Sequence, residues 1–352
     1  MMILDDIQKI KGIDQSNMLQ ELQTLPDQLA EAWEIANQCD LPIIEDPKTI
    51  VIAGMGGSAI GADILSSYVF DDCAIPLFVL RGYSLPKWVD GDKNLVICSS
   101  HSGNTEETLS VLKEAIERGC SALAVSRGGQ LQELAIQKKI PFWRFTHNGQ
   151  PRSAVGYSFG ILLNLLSRLG LIPDQSLSLV SAVESVKKYI TGIDVGVPVA
   201  KNLAKRIAGQ AFERLAVILG AEHLEPIARR WKTQINELAK GWAQFEFLPE
   251  ADHNTLAGLE YPKAVLQKVY ALFLFSNNYH TRNNKRFNLT FEQFMVAGLC
   301  TDKVNIDDHD RLAEIWKMLI LGDFITYYLS IMYQVDPTPI EALEEFKKAM
   351  RS

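Results

Sequence analysis

Gly54-Met55-Gly56-Gly57-Ser58 and Ser99-Ser100-His101-Ser102-Gly103-Asn104-Thr105 decide how this chain is read. Each stretch follows a short apolar run, TIVIA at 49–53 and NLVIC at 94–98, and each leads into a helical pattern. An apolar strand, a turn of small residues and a helix N-terminus together present free backbone N–H groups and the positive end of a helix dipole. That corner suits an anion. The second stretch adds hydroxyls at Ser100, Ser102 and Thr105, so a phosphate can be wrapped by amides and hydroxyls without a lysine.

The same alternation extends outward. Apolar runs near 49–53, 76–80, 94–99, 121–126 and 140–145 are separated by helical patterns near 58–70, 105–118 and 129–138. A helical region near 14–38 precedes them, and a long helix over 153–169 ends at Gly170 and Pro173. The stretch TGIDVGVP at 191–198 is the linker candidate. Beyond it, strands are expected near 215–220, 243–248, 269–276 and 302–306, and helices near 200–212, 225–240 and 308–333. Short apolar runs alternating with amphipathic helices indicate parallel sheets covered on both faces. The expected fold is α/β, in two doubly wound lobes spanning 1–192 and 193–352.

Composition narrows the function. The 352 residues are 47% hydrophobic and 22% charged, enough apolar material for sizeable cores. A net charge of −7 argues against broad nucleic-acid binding and against an anionic membrane surface. The five cysteines are scattered, odd in number and without a CxxC pair, which disfavours a disulfide framework or a zinc site and fits a reducing cytoplasm. No HxH or HExxH motif offers a metal-ligand set, so no metal is expected. The opening MMILDDIQKIKG has no long apolar stretch, and no signal peptide is expected. The most apolar segment, 315–333, contains Lys317 and Asp323 and reads as a buried helix rather than a membrane span.

The first loop admits other readings. Gly54-Met55-Gly56-Gly57-Ser58-Ala59 matches the GxGxxG/A dinucleotide fingerprint. That fingerprint expects an Asp or Glu after the next strand to hold a ribose, and here Arg81 follows 76–80. An Arg can meet an NADP phosphate, so this alternative stays open, as does a plain tight turn. No Gly-Lys-Ser/Thr ends the loop, so it is not a P-loop.

GMGGSA followed by SSHSGNTEET resembles the sugar isomerase (SIS) domain, which binds phosphosugars. Pro151-Arg152-Ser153-Ala154, then Arg230-Trp231-Lys232-Thr233-Gln234-Ile235-Asn236-Glu237, then Asp252-His253-Asn254 and Asp336-Pro337-Thr338-Pro339 follow in order. The ordered set is similar to the bifunctional phosphoglucose/phosphomannose isomerases, which are built from two SIS domains, and it covers nearly the whole chain. Two positions depart from the family pattern. His101 stands where an aromatic Tyr is commoner, and Leu238 precedes Ala239-Lys240 where Asn is usual.

The resemblance implies aldose–ketose isomerisation of glucose 6-phosphate or mannose 6-phosphate to fructose 6-phosphate, through a cis-enediolate and without a metal or cofactor. It assigns the phosphate to Gly57, Ser58, Ser100, Ser102 and Thr105, proton transfer between C2 and C1 to Glu237, and enediolate stabilisation to Arg152. Ring opening falls to His253, donated by the partner subunit of a homodimer, and to a C-terminal lysine, Lys347 or its neighbour Lys348. The other histidines lack a motif and read as ordinary polar or packed residues. A non-catalytic phosphosugar-binding module is the alternative, but it would need only the phosphate loops.

Overall fold

The computed structural model describes residues 2–350. Two short helices, α1 (Ile7–Ile13) and α2 (Met18–Gln23), open the chain, followed by α3 (Leu25–Asn37). The alternating part runs β1 (Thr49–Ala53), α4 (Gly56–Tyr68), β2 (Leu77–Leu80), β3 (Asn94–Ser100), α5 (Glu106–Glu117), β4 (Ser121–Ser126), α6 (Gly129–Lys138) and β5 (Phe142–Arg144). Helices α7 (Val155–Arg168) and α8 (Ser176–Ile193) follow. The remainder is α9 (Leu203–Ala211), β6 (Leu215–Ala221), α10 (Glu225–Glu237), β7 (Ala243–Leu248), α11 (Lys263–Leu266), β8 (Val269–Phe275), α12 (Thr281–Val296), β9 (Cys300–Asn305), α13 (Arg311–Tyr333) and α14 (Glu341–Met350).

The fold is α/β, with two all-parallel sheets flanked by helices. The first has order β2-β1-β3-β4-β5 and the second β7-β6-β8-β9. In each, the chain steps from its first strand to one side and then returns to the other. The reversal falls between β1 and β3 in one sheet and between β6 and β8 in the other. Outside the carboxyl ends of such a strand pair lies the crevice where doubly wound sheets hold ligands. In-register pairs such as Ile52 with Ile97 and Ala53 with Cys98 bring the ends of β1 and β3 level. Every residue of β3 is buried, as a central strand covered on both faces requires.

The chain forms two compact units, Thr24–Glu184 and a second that joins Met1–Gln23 to Ser185–Ser352. This differs from the expected division at 192. The leading helices join the second unit because their polar groups are tied there. The Tyr327 hydroxyl donates to Asp14 Oδ2 at 3.0 Å, and Lys205 Nζ meets Asp5 Oδ1 at 3.2 Å. Asp14 also breaks the helical region expected over 14–38, since its carboxylate accepts the backbone N–H groups of Met18 and Leu19. The first three residues of the linker candidate are the end of α8. The polar helix α12, begun by His280 accepting from the Arg282 amide, has too few apolar positions to stand out by periodicity.

Helix α13 is long and apolar enough to cross a membrane, but it is buried from Leu312 to Ile331 except at Lys317. It is the core helix of the second unit. Its Asp323 receives Arg230 through Nε at 3.1 Å and Nη2 at 2.6 Å, and Gln234 Nε2 at 3.0 Å. Trp231 Nε1 donates to the Met318 carbonyl at 2.9 Å. Residues 230, 231 and 234 thus bind α10 to α13. Burial pushes the Asp323 carboxyl up, and the Arg230 guanidinium pulls against that shift.

Candidate active site

In the first unit, the loops after β1 and β3 lie side by side at the reversal point. The second loop is shaped by its own polar atoms. Ser100 is buried, and its hydroxyl accepts the Gly103 amide at 3.1 Å and lies 2.8 Å from the Thr105 hydroxyl. Ser102 is exposed, and its Oγ accepts the Asn104 amide at 3.1 Å. Gly103 has φ +71°, and a Cβ there would stand 1.7 Å from the Gly128 carbonyl oxygen, so only glycine fits. The Leu131 amide donates to the Gly103 carbonyl and the Gln130 amide to Asn104 Oδ1, fastening this loop to the start of α6.

Thr105 occupies the N-cap of α5, yet its hydroxyl makes no capping bond and turns to Ser100 instead. Helix α4 likewise begins at Gly56 without a side-chain cap. Both helix starts therefore keep N–H groups that their own cap side chains do not satisfy, the donor arrangement an anion uses.

Arg152 sits in a short 3-10 turn, Pro151–Ser153, that packs on the start of α4. A Cβ at Gly57 would come within 2.4 Å of the Pro151 carbonyl oxygen, so this close approach depends on glycine. The guanidinium is buried and donates from Nη1 to Gln150 Oε1 at 3.4 Å. Gly57, Ser58, Ser100, Ser102, Thr105 and Arg152 are thus gathered at one carboxyl edge of the first sheet. Arg81, which kept the dinucleotide reading open, instead pairs with both carboxylate oxygens of Asp63 on α4.

The remaining assigned residues belong to the second unit. Glu237 is the last residue of α10 and is half-buried. Lys240, in left-handed backbone at φ +56°, donates from Nζ to the Glu237 carbonyl at 2.7 Å and to the Pro337 carbonyl at 3.3 Å. The Asp336–Pro339 motif is thereby held at the end of the helix that carries Glu237. Leu238 is fully buried, so the departure at that position adds an apolar core side chain.

His253 is exposed, at the end of a 3-10 turn following β7. Its neighbour Asp252 accepts Arg286 Nη1 at 2.9 Å and Thr290 Oγ1 at 2.7 Å, which docks the turn on α12. The second sheet separates this histidine from Glu237. Phe273 and Phe275 of β8 pack edge-on against Phe287 of α12, at 6.1 and 5.2 Å, so α12 covers their face. Arg229 of α10 lies 5.2 Å over Phe245 of β7. Phe245 is in register with Ile218, and Ile218 with Leu272, whose side chains point to the face opposite Phe273. Glu237 therefore ends a helix on one face of the sheet, and His253 lies in a turn docked on the helix that covers the other face.

Lys347 and Lys348 lie on α14, all of whose residues are exposed. At helical spacing, Leu343, Phe346, Lys347 and Met350 share one face, whereas Lys348 falls with Glu344 and Glu345.

At the second sheet's reversal point, the crevice is occupied by the protein's own side chains. His223 Nε2 lies 3.0 Å from Glu314 Oε2 and 3.3 Å from the Ser276 hydroxyl, and all three residues are buried. With Glu222 and Glu225 beside them, this corner does not suit an anion. Among the described residues, no group of three or more His, Cys, Asp or Glu side chains is placed to hold a metal ion.

Residues 200–350 match the model of the bacterial phospho-glucose isomerase C-terminal SIS domain. A bifunctional phosphoglucose/phosphomannose isomerase of Caldicellulosiruptor bescii is 37% identical over 337 residues, 95% of this chain and 98% of the relative. Another of that name, from Aquifex aeolicus, is 33% identical over 305 residues, 86% of this chain and 91% of the relative. A solved structure of a hypothetical protein from Thermus thermophilus shares the fold, with a TM-score of 0.73 at 14% identity over 94% of this chain and 89% of that one. By its likeness to relatives over nearly its whole length, the chain belongs to the bifunctional phosphoglucose/phosphomannose isomerase family.

Proposed function

We propose that this chain interconverts glucose 6-phosphate or mannose 6-phosphate with fructose 6-phosphate through a cis-enediolate. The gathering of loop hydroxyls, helix N-termini and Arg152 at the reversal point of the first sheet carries this reading. The phosphate is held by Ser58, Ser102, Thr105 and the amides after Gly57 and Gly103, around the rigid Ser100 hydroxyl. Arg152 stabilises the oxyanion of the enediolate. Glu237 carries the proton between C2 and C1. Two acid/base groups open the sugar ring, His253 and Lys347. Lys347 is preferred to Lys348 because it lies on the apolar face of α14, a face able to pack against a site. These side chains account for each proton movement, so the reaction needs no metal.

The separation of Glu237 from His253 by a sheet supports a homodimer in which His253 completes the partner's site. The acidic balance argues against nucleic acid as a partner. Five free thiols support a cytoplasmic location. Each unit serves as one SIS-type lobe. The reading is tested by coupling fructose 6-phosphate formation from each aldose to a detectable product, with EDTA present. Turnover of either aldose supports it. Binding of sugar phosphate without turnover would indicate the non-catalytic module, and activity lost to EDTA and restored by a divalent ion would overturn the metal-free mechanism.

A further inference from the structure

Residues 145–153 run from the end of β5 along the carboxyl edge of the first sheet to the Arg152 turn. Contacts at its start, middle and end hold this strap. Near its start, the Phe145 amide donates to the Ser126 carbonyl at 3.4 Å. At its end, Pro151 presses on Gly57. Midway, His147 Nδ1 lies 3.0 Å from His101 Nε2, with the rings 5.3 Å apart and nearly perpendicular. One imidazole N–H donates to the ring nitrogen of the other. His101 belongs to the loop that carries Ser100, Ser102 and Thr105, so this bond joins the phosphate loop to the strap that leads to Arg152.

The surroundings hold the pair in place. Phe145 lies 5.9 Å from His101, Tyr157 of α7 lies 5.8 Å from His147, and these two aromatic rings stack on each other at 5.1 Å. The Tyr157 hydroxyl donates to Glu31 of α3. From the loop after β4, the Arg127 amide donates to the His101 carbonyl, and Arg127 Nη2 reaches Asn148 Oδ1 at 3.5 Å. Burial, followed by the charges of His147 and Arg127, lowers His101 to about 4. At neutral pH His101 adds no charge near the phosphate, and its bond to His147 acts through geometry.

We infer that His147, through His101, is a positioning residue that fixes the Arg152 turn relative to the phosphate loop. The inference rests on the isomerase reading above. It predicts a split between turnover and phosphate binding, because the strap carries the oxyanion-stabilising group while the loop amides and hydroxyls remain in place.

The test compares the wild-type protein with His147→Ala and His147→Asn, whose amide can occupy the position of the imidazole Nδ1. Displacing a charge-stabilising group by a fraction of an ångström should lower kcat on fructose 6-phosphate about ten- to hundredfold in the Ala variant. The Kd for inorganic phosphate should stay within about twofold, since a lost neutral hydrogen bond outside the ligand shell is a small perturbation. The Asn variant should recover most of the turnover. Hydrogen exchange of the amides in 146–152 should be faster in the Ala variant and return toward wild type in the Asn variant. An unchanged kcat in His147→Ala overturns the inference. So does a parallel loss of kcat and phosphate affinity that Asn does not rescue. If the wild-type protein shows no isomerase activity, the isomerase reading fails. The exchange measurement still decides the pair, because equal exchange in all three proteins removes it.

Discussion

Ser100 and Ser102 stand two residues apart in one loop, yet their hydroxyls face different surroundings. Ser100 is buried and bonded to Gly103 and Thr105, whereas Ser102 is exposed. Ser102→Ala should raise KM for the sugar phosphate and leave Tm unchanged. Ser100→Ala should raise KM and also lower Tm, because it loosens the loop itself. A hydrogen bond to a charged group is worth roughly 1.5–3 kcal/mol, so the double variant should lose at least about tenfold in KM. An unchanged KM in the double variant would remove the phosphate role. His101 has a separate signature in acid. Its folded-state value of about 4 lies below the ordinary 6.5, so between those values the unfolded chain binds a proton that the folded chain does not. Its contribution to stability is therefore complete above pH 6.5 and is lost as pH falls toward 4. His101→Tyr, which does not titrate there, should show a shallower fall of Tm across that window than the wild type. Parallel slopes would contradict the burial argument. The loop hydroxyls were legible in the sequence as a cluster at a helix start. The difference between Ser100 and Ser102 was not, because both follow the same strand and only the packed loop shows which one turns inward.

At the scale of elements, α10 shows how a motif divides its labour. Arg230, Trp231 and Gln234 fasten the helix to α13, and Glu237 stands at its end. Removing one partner of a buried ion pair leaves an uncompensated charge and costs about 3–5 kcal/mol. Arg230→Met should therefore destabilise the second unit by that order in denaturant unfolding, and Arg230→Met with Asp323→Leu should recover much of the loss. If the double variant is no more stable than Arg230→Met, the buried charge is not the cause. The identity of α13 as a core helix was readable from Lys317 and Asp323 within an apolar run. Its pairing with α10 was not readable, since the two segments are about ninety residues apart and nothing local links them.

For the whole molecule, the position of His253 makes the sharpest prediction. Glu237→Gln keeps the side-chain shape and removes the proton acceptor, so kcat should fall roughly 10²–10⁴-fold with phosphate binding intact. His253→Ala should impair turnover of the ring-closed sugar more than that of an open-chain analogue. If His253 completes a neighbouring site, mixing the two variants should restore activity, because one site of each mixed dimer receives neither defect. Tagged pull-down must first show that subunits exchange. Confirmed heterodimers without recovered activity would return His253 to its own chain or remove it from the site.

The sequence by itself determined the class of the fold. Strand and helix periodicities are local, and small-residue turns after apolar runs leave a local signature, so two parallel sheets and a small-residue corner at each helix start could be read from spacing alone. Tertiary structure decided what spacing does not encode. It placed residues 1–23 with the second unit through Asp14 and Asp5, and filled the second reversal point with His223 and Glu314. It joined His101 to His147 across 46 residues and docked the turn bearing His253 on α12, across the second sheet from the helix that ends at Glu237. Each of these depends on which side chains meet after the strands have paired. A hydrogen bond or a shared face between distant segments has no periodicity, and it exists only once the sheets are built.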